Sequence, residues 1–162
     1  MKKLLVLILV IFISAMTTVA QDSYVLKTSI SRIDNIPKYF FGTWSVQATR
    51  TYTDSEKSFA TSTLDLWNLR RSGNVIELRN PVTGAVADIY LEDVNGNVVS
   101  FTHYETEGNI KLKDTVMLTL NEKSFTGFNE LTLDITKKDA YGKIVTEHKK
   151  ARYQLKGSKF SQ

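Results

Sequence analysis

The sequence predicts an all-β domain of eight antiparallel strands in an up-and-down meander. Apolar and polar residues alternate along most of the chain after residue 38, and turn-forming residues interrupt that alternation at near-regular intervals. No segment between the predicted strands is long enough for a crossover helix, so neighbours in sequence should pair in space. Closure into a small barrel would remove the exposed sheet edges, and a two-sheet β-sandwich is the alternative.

Short clusters of Gly, Asn, Asp and Ser mark the turns. Asn95-Gly96 is the sharpest signal, because a type I′ hairpin turn needs positive φ at both central residues. The clusters separate eight predicted strands, at residues 41–53, 59–70, 74–80, 85–92, 97–104, 110–120, 125–136 and 143–156. Within residues 64–69 the apolar phase slips by one at Trp67, which predicts a β-bulge or a strand buried on both faces.

The first twenty residues have the pattern of a cleaved signal peptide. Lys2 and Lys3 precede an apolar run from Leu4 to Ile13, and small residues lead up to Ala20. The run is shorter than the roughly 18 to 20 residues that a membrane-spanning helix needs. We therefore expect export to the periplasm or the extracellular space, and no membrane span after cleavage. The predicted organisation is a signal peptide (1–20), an N-terminal arm (21–38) and a single β domain (39–162).

Composition argues against several classes of function. Lys and Arg total 21 against 17 Asp and Glu, and loss of the two lysines of the signal peptide would leave a net charge too small to favour nucleic acid as a partner. The chain has no cysteine, so it has neither a disulfide framework nor a thiol nucleophile. His103 and His148 lack companion ligands at metal-binding spacing. No Gly-x-Ser-x-Gly elbow or phosphate-binding glycine loop occurs, so we predict no cofactor, no metal and no catalytic residue.

Acidic residues along the strands are predicted to face solvent, because they alternate out of phase with their apolar neighbours. These residues are Asp65, Asp88, Glu92, Asp93 and Asp134. An acid and base pair facing each other across a cleft is therefore not expected. An enzyme would require a pocket with at least two ionisable groups of displaced pKa.

A candidate ligand site lies at the ends of the first and fifth predicted strands. Arg50 and Tyr52 continue the inward phase that begins at Trp44, and His103 continues the phase of Phe101. We predict that Arg50, Tyr52, Phe101 and His103 line the interior near its open end, with Arg50 pairing to an anionic or apolar ligand. The alternative is that Arg50 and His103 reach water at the strand ends.

The segment Gly42-Thr43-Trp44 resembles the Gly-x-Trp signature that opens the first strand of the calycin superfamily, which includes lipocalins, avidins and lipocalin-like inhibitors of bacterial metalloproteases. The resemblance implies that Trp44 closes one end of a barrel, that Gly42 lets the chain turn in beneath it, and that a basic residue of the last strand packs beside the tryptophan. By order in the sequence that residue is Arg152.

The same resemblance implies a non-enzymatic exported protein that binds a small apolar or amphipathic ligand, or a protein partner through its loops. The alternative is an envelope protease inhibitor or structural interaction protein, in which residues 21–38 form the arm that enters the protease cleft.

Overall fold

The computed structural model describes residues 32–73 and 75–160. The predicted signal peptide and residues 21–31 of the predicted arm lie outside the described residues. A short 3-10 helix, Lys38–Phe40, precedes the strands. The strands are β1 (Gly42–Thr53), β2 (Ser62–Ser72), β3 (Val75–Arg79), β4 (Val86–Asn95), β5 (Val98–Glu107), β6 (Ile110–Leu120), β7 (Ser124–Lys138) and β8 (Ile144–Lys159).

The strands form a hydrogen-bonded ring. Each strand pairs antiparallel with the next in sequence, and β8 returns to pair with β1. The predicted all-β meander of eight antiparallel strands is confirmed, with strand bounds within a few residues of those predicted. The turn between β4 and β5 has Gly96 at a φ of 59°, as its sequence predicts. In the described part of the chain, no helix is long and apolar enough to cross a membrane.

The predicted phase slip at Trp67 is not a bulge. β2 pairs with β1 in an unbroken register through this region. Leu64 is 76% exposed, whereas Trp67 and Leu69 are buried. The odd-numbered residues of β2, including Asp65, therefore point into the ring. The apolar residue Leu64 had suggested that the even-numbered residues do.

Residues 33–41 cover the end of the ring at which β1 begins, which we call the capped end. Ile33, Ile36 and Phe40 are buried there, and the Phe40 ring meets Phe101 edge to face at 6.3 Å between centroids. Apolar burial of this kind stabilises by about 25 cal/mol for each Å² removed from water. Residues 32–38 of the predicted arm thus belong to a segment that packs against the ring.

Trp44 fills the capped end, as the sequence predicts. Its side chain is fully buried and its indole NH donates to the carbonyl oxygen of Phe40 at 2.9 Å. The ring packs on Phe125 at 5.2 Å between centroids, and Phe125 in turn stacks on Trp67. Gly42 has a φ of 116°, a conformation that residues with a side chain rarely adopt, so the chain turns into β1 at a position that requires glycine.

The basic residue beside Trp44 is Lys159, and the assignment of Arg152 to this position is wrong. The Lys159 ammonium lies 4.4 Å from the Trp44 ring centroid and donates to the carbonyl oxygens of Tyr39 at 2.6 Å and Phe41 at 2.5 Å. Burial lowers the pKa of Lys159, since desolvation disfavours its charged form. Arg152 faces outward and pairs with Glu130 at 2.9 Å. The strand continues beyond the predicted end at residue 156, which brings Lys159 to the capped end.

Replacing Lys159 with Met should destabilise the domain by about 1–3 kcal/mol, because the two carbonyl oxygens lose their donor while the stem of the side chain is retained. Urea unfolding followed by tryptophan fluorescence measures the loss. Lys156→Met is the matched control, since Lys156 is exposed on the same strand. Equal stabilities of the two variants would contradict the proposed stabilising contact between Lys159 and the capped end.

Candidate functional site

A cavity of about 150 Å³ lies inside the ring, beyond the aromatic side chains of the capped end. Small residues on two strands leave this space, since Ala48 and Ala87 occupy inward positions. Most of the wall is apolar and includes Val46, Leu78, Ile89, Val116, Leu131 and Leu155. An apolar cavity of this size is large enough for a molecule such as benzene.

The loop between β1 and β2, residues 54–61, covers the opposite end of the cavity, and we call it the cover loop. Phe59 of this loop is 4% exposed and lines the cavity. Two interior side chains hold the loop by its carbonyl oxygens. Arg50 Nη1 donates to that of Phe59 at 2.6 Å, and the Tyr153 hydroxyl donates to that of Ala60 at 2.8 Å. Burial raises the pKa of Tyr153 to about 12, against the opposing effect of the Arg50 charge, so the phenol keeps its proton.

Three of the four predicted ligand-binding residues lie on the inner face. Phe101 is 1% exposed and lines the cavity, and His103 lines it nearer the cover loop. Arg50 also continues the inward phase, with 11% of its side chain exposed, and its second guanidinium nitrogen forms an ion pair with Glu56 at 3.2 Å. Arg50 is not among the residues that line the cavity. Its contacts are with the cover loop, and its role in binding stays a prediction.

Tyr52 does not line the interior, contrary to the sequence prediction. The pairing of β1 with β8 shifts between Arg50 and Tyr52, so that Thr51 is an extra residue in β1. An extra residue reverses the alternation of side chains beyond it. Tyr52 therefore pairs with outward-facing Arg152 and is 57% exposed.

A buried acid lies in the cavity wall on β6. Asp114 and its neighbour Asn129 on β7 are each 7% exposed, and Asn129 Nδ2 donates to Asp114 Oδ1 at 3.1 Å. Among the described residues, no donor reaches the Asn129 Oδ1 atom. Burial raises the pKa of Asp114 to about 7, and the hydrogen bond from Asn129 only partly opposes this effect.

A second acid, Asp65 on β2, also lines the cavity. Its Oδ1 accepts hydrogen bonds from the backbone NH of Leu66 at 2.8 Å and from Asn80 Nδ2 at 2.5 Å. No group in the described residues donates to Oδ2 with hydrogen-bond geometry. Burial raises the pKa of Asp65, while hydrogen bonding from Leu66 and from the side chain of Trp67 lowers it by less. The prediction that Asp65 faces solvent is wrong.

The inward orientation of Asp114, Asn129 and Asp65 could have been predicted from the sequence. Asp114 shares the phase of Val116 and Leu118, and Asn129 shares that of Leu131. Asp65 shares the phase of Trp67, but exposed Leu64 obscured it. Extending each apolar alternation backwards through the polar residue at its end would have placed these side chains inside.

Stability should fall as the pH rises from about 4 to 7, and Asp114 should account for much of the fall. Its pKa is raised on folding, so the folded state holds the proton over this interval while the unfolded state releases it, and each unit of difference corresponds to about 1.4 kcal/mol. The ionisable groups that share the cavity are Asp65, His103, Glu105 and Tyr153.

The Asp114→Asn variant should show a shallower decline when urea unfolding is measured across this pH range. Asp88→Asn is the control, because Asp88 is exposed on the outer face of β4. A slope in Asp114→Asn equal to that of the unchanged protein would contradict the buried, protonated state of Asp114.

Replacing Arg50 with Met should loosen the cover loop, since the Phe59 carbonyl oxygen and Glu56 both lose their partner. Lys57 in this loop is exposed and offers a tryptic site, so cleavage after Lys57 should become faster, as read by mass spectrometry. Arg152→Met removes an arginine that pairs on the outer face and should leave the cleavage rate unchanged. Equal rates in the two variants would show that Arg50 does not hold the loop.

The cavity combines an apolar wall, the buried acid Asp114, the half-buried acid Asp65 and a cover loop held by side chains from β1 and β8. Among residues 32–73 and 75–160, no three His, Asp or Glu residues gather as metal ligands would. Comparisons with protein-family models, with curated proteins and with solved structures find no match for this chain.

Proposed function

We propose that this chain is an exported, non-enzymatic protein that binds a small amphipathic ligand inside a lipocalin-like barrel. The observation that carries the proposal is the cavity of about 150 Å³, with its largely apolar wall and its few polar groups. Small-molecule sites in proteins have this character, with an apolar lining and a small number of placed polar groups. Export rests on the composition of residues 1–20, which lie outside the described residues.

The lipocalin-like interpretation draws support from the capped end of the ring. Gly42 and Trp44 open β1, Trp44 is buried across the end of the ring, and a basic residue of the last strand packs against it. These are the features that the resemblance to the calycin superfamily implies, with Lys159 in the place expected for Arg152. An eight-stranded barrel has an interior just wide enough for side chains or for one small ligand.

One feature weighs against the alternative of a protease inhibitor. The described part of the predicted arm, residues 32–38, contributes Ile33 and Ile36 to the core. An arm that enters a protease cleft has to be free to leave the surface of its own domain. A segment with buried anchors costs free energy to release.

Asp65 and Asp114 share one cavity and both have raised pKa values, which is the arrangement that an enzyme would require. Ligand binding accounts better for the site. Asp65 Oδ1 is already bound by Leu66 and Asn80, and the space suits a molecule of about the size of benzene. The Tyr153 hydroxyl, another candidate acid, is engaged by the cover loop.

The test is to measure binding of toluene, benzyl alcohol and benzylamine by calorimetry and by the fluorescence of the tryptophans, since Trp67 lines the cavity. At least one of these probes should bind. Ala48→Leu, which fills part of the cavity, should weaken that binding at least tenfold. Thr49→Leu is the matched control, since Thr49 faces outward on the same strand. Binding that is absent, or unaffected by Ala48→Leu, would overturn the proposed function.

A further inference from the structure

The carboxylates of the cavity wall have no basic Lys or Arg side chain beside them in the wall. The polar residues that line the cavity are Asp65, Glu105, Asp114, Asn129, His103, Ser58, Thr63 and Tyr153, and no lysine or arginine of the described residues is among them. Two basic residues of the inward phases lie outside the wall and have other partners. Arg50 donates to the Phe59 carbonyl oxygen and pairs with Glu56 in the cover loop, and Lys149 on β8 pairs with Glu147 at 3.3 Å. The interior therefore presents an excess of negative charge to anything that enters it.

Asp114 and Asn129 are more buried than Asp65 and form the first polar site of the wall. Val116 on β6 pairs with Asn129, and Asp114 pairs with Leu131, so the two polar side chains lie diagonally across adjacent strands. Asp114 receives its hydrogen bond from Asn129, and Asn129 Oδ1 has no donor among the described residues. The Asp114 carboxylate thus has a single protein donor, and a ligand that supplies a further donor would satisfy it better.

His103 does not neutralise Asp114, although the two residues pair in register between β5 and β6. The His103 Nδ1 atom lies 3.2 Å from the Asp88 carbonyl oxygen, where it acts as a donor to the backbone. No hydrogen bond or ion pair joins His103 to Asp114 in the described part of the chain. Among the described residues, Asp114 therefore has no cationic partner.

Asp65 supplies the second acceptor site, from β2. Leu66 and Asn80 orient its carboxylate by binding Oδ1, and Oδ2 has no partner of hydrogen-bond geometry among the described residues. Asn80 is itself fixed, because its Oδ1 accepts from the backbone NH groups of Val82 and Thr83. The Asp65 Oδ2 atom is itself buried, so Asp65 contributes mainly a negative charge to the cavity wall, from the side of the ring opposite Asp114.

We propose that the ligand is a small organic cation, with a protonated amine that binds Asp114 beside Asn129 and an apolar body that packs against the wall near Phe101. Asp65, on the opposite side of the ring, adds negative charge to the same cavity. This inference rests on the proposed function and names its ligand class. An ammonium group brings a positive charge to balance the acids, and it brings several donors for the Asp114 carboxylate. A carboxylate ligand would meet like charges, and an alcohol would bring one donor and no charge.

Benzylamine, benzyl alcohol, benzoate and toluene share a ring and differ in the head group, so they separate charge from shape. At pH 7.5 we expect benzylamine to bind at least tenfold more tightly than benzyl alcohol or toluene, and benzoate to bind weakest. Asp114→Asn should reduce the affinity for benzylamine at least tenfold and leave that for toluene within about twofold. Asp65→Asn should act in the same direction, and Asp88→Asn, on the outer face, should change neither.

Benzylamine affinity should also fall as the pH drops below about 7. Asp114 then gains its proton, and burial raises the pKa of Asp65 in the same direction, while Tyr153 stays neutral throughout. Glu105 and His103 are the other ionisable side chains that line the cavity. Toluene affinity should stay constant over the same range, which separates this effect from a loss of folding.

Binding of toluene or benzyl alcohol as tightly as benzylamine, or preference for benzoate, would overturn the amine assignment while leaving a small-molecule site in place. Equal benzylamine affinity in Asp114→Asn and Asp88→Asn would overturn it as well. Failure of every probe to bind would instead remove the proposed function itself.

Discussion

The contact of Lys159 with Trp44 and with the carbonyl oxygens of Tyr39 and Phe41 is the interaction on which the rest of the structure depends. It joins the end of β8, the start of β1 and the segment that covers the capped end. Ring closure brings together residues from opposite ends of the domain, and the conformational entropy lost on closure opposes it. A partly buried cation that binds two carbonyl oxygens and an aromatic face holds that closure at one point.

The ring is solid at the capped end and hollow beyond it. Trp44, Phe125 and Trp67 form a continuous aromatic layer, whereas Ala48 and Ala87 stand at the level of the cavity. The difference in side-chain volume between these two levels creates the space. The rigid layer and the paired strands fix the position of the wall, which is the preorganisation that a binding site needs.

The polar groups of the hollow part oppose stability. Asp114 and Asn129 are buried with one hydrogen bond between them, and burial of unpaired polar groups costs free energy that apolar residues of similar shape would not. Departures from the best local choice in a fold are concentrated at functional sites. Asp65, Asp114, Asn129 and the cover loop held by Arg50 and Tyr153 all lie around one cavity, as expected if they serve one binding site.

The sequence by itself determined the class of fold, the order of the strands and the burial of Trp44, because alternation and turn residues act locally and a large aromatic side chain in phase is reliably buried. Tertiary structure decided the site. Thr51 turned Tyr52 outward, and the true length of β8 put Lys159 where Arg152 was expected. The inward orientation of Asp65 and Asp114 could have been predicted from the alternation of apolar residues. The cavity could not, because it depends on the volumes of side chains from strands that are far apart in sequence.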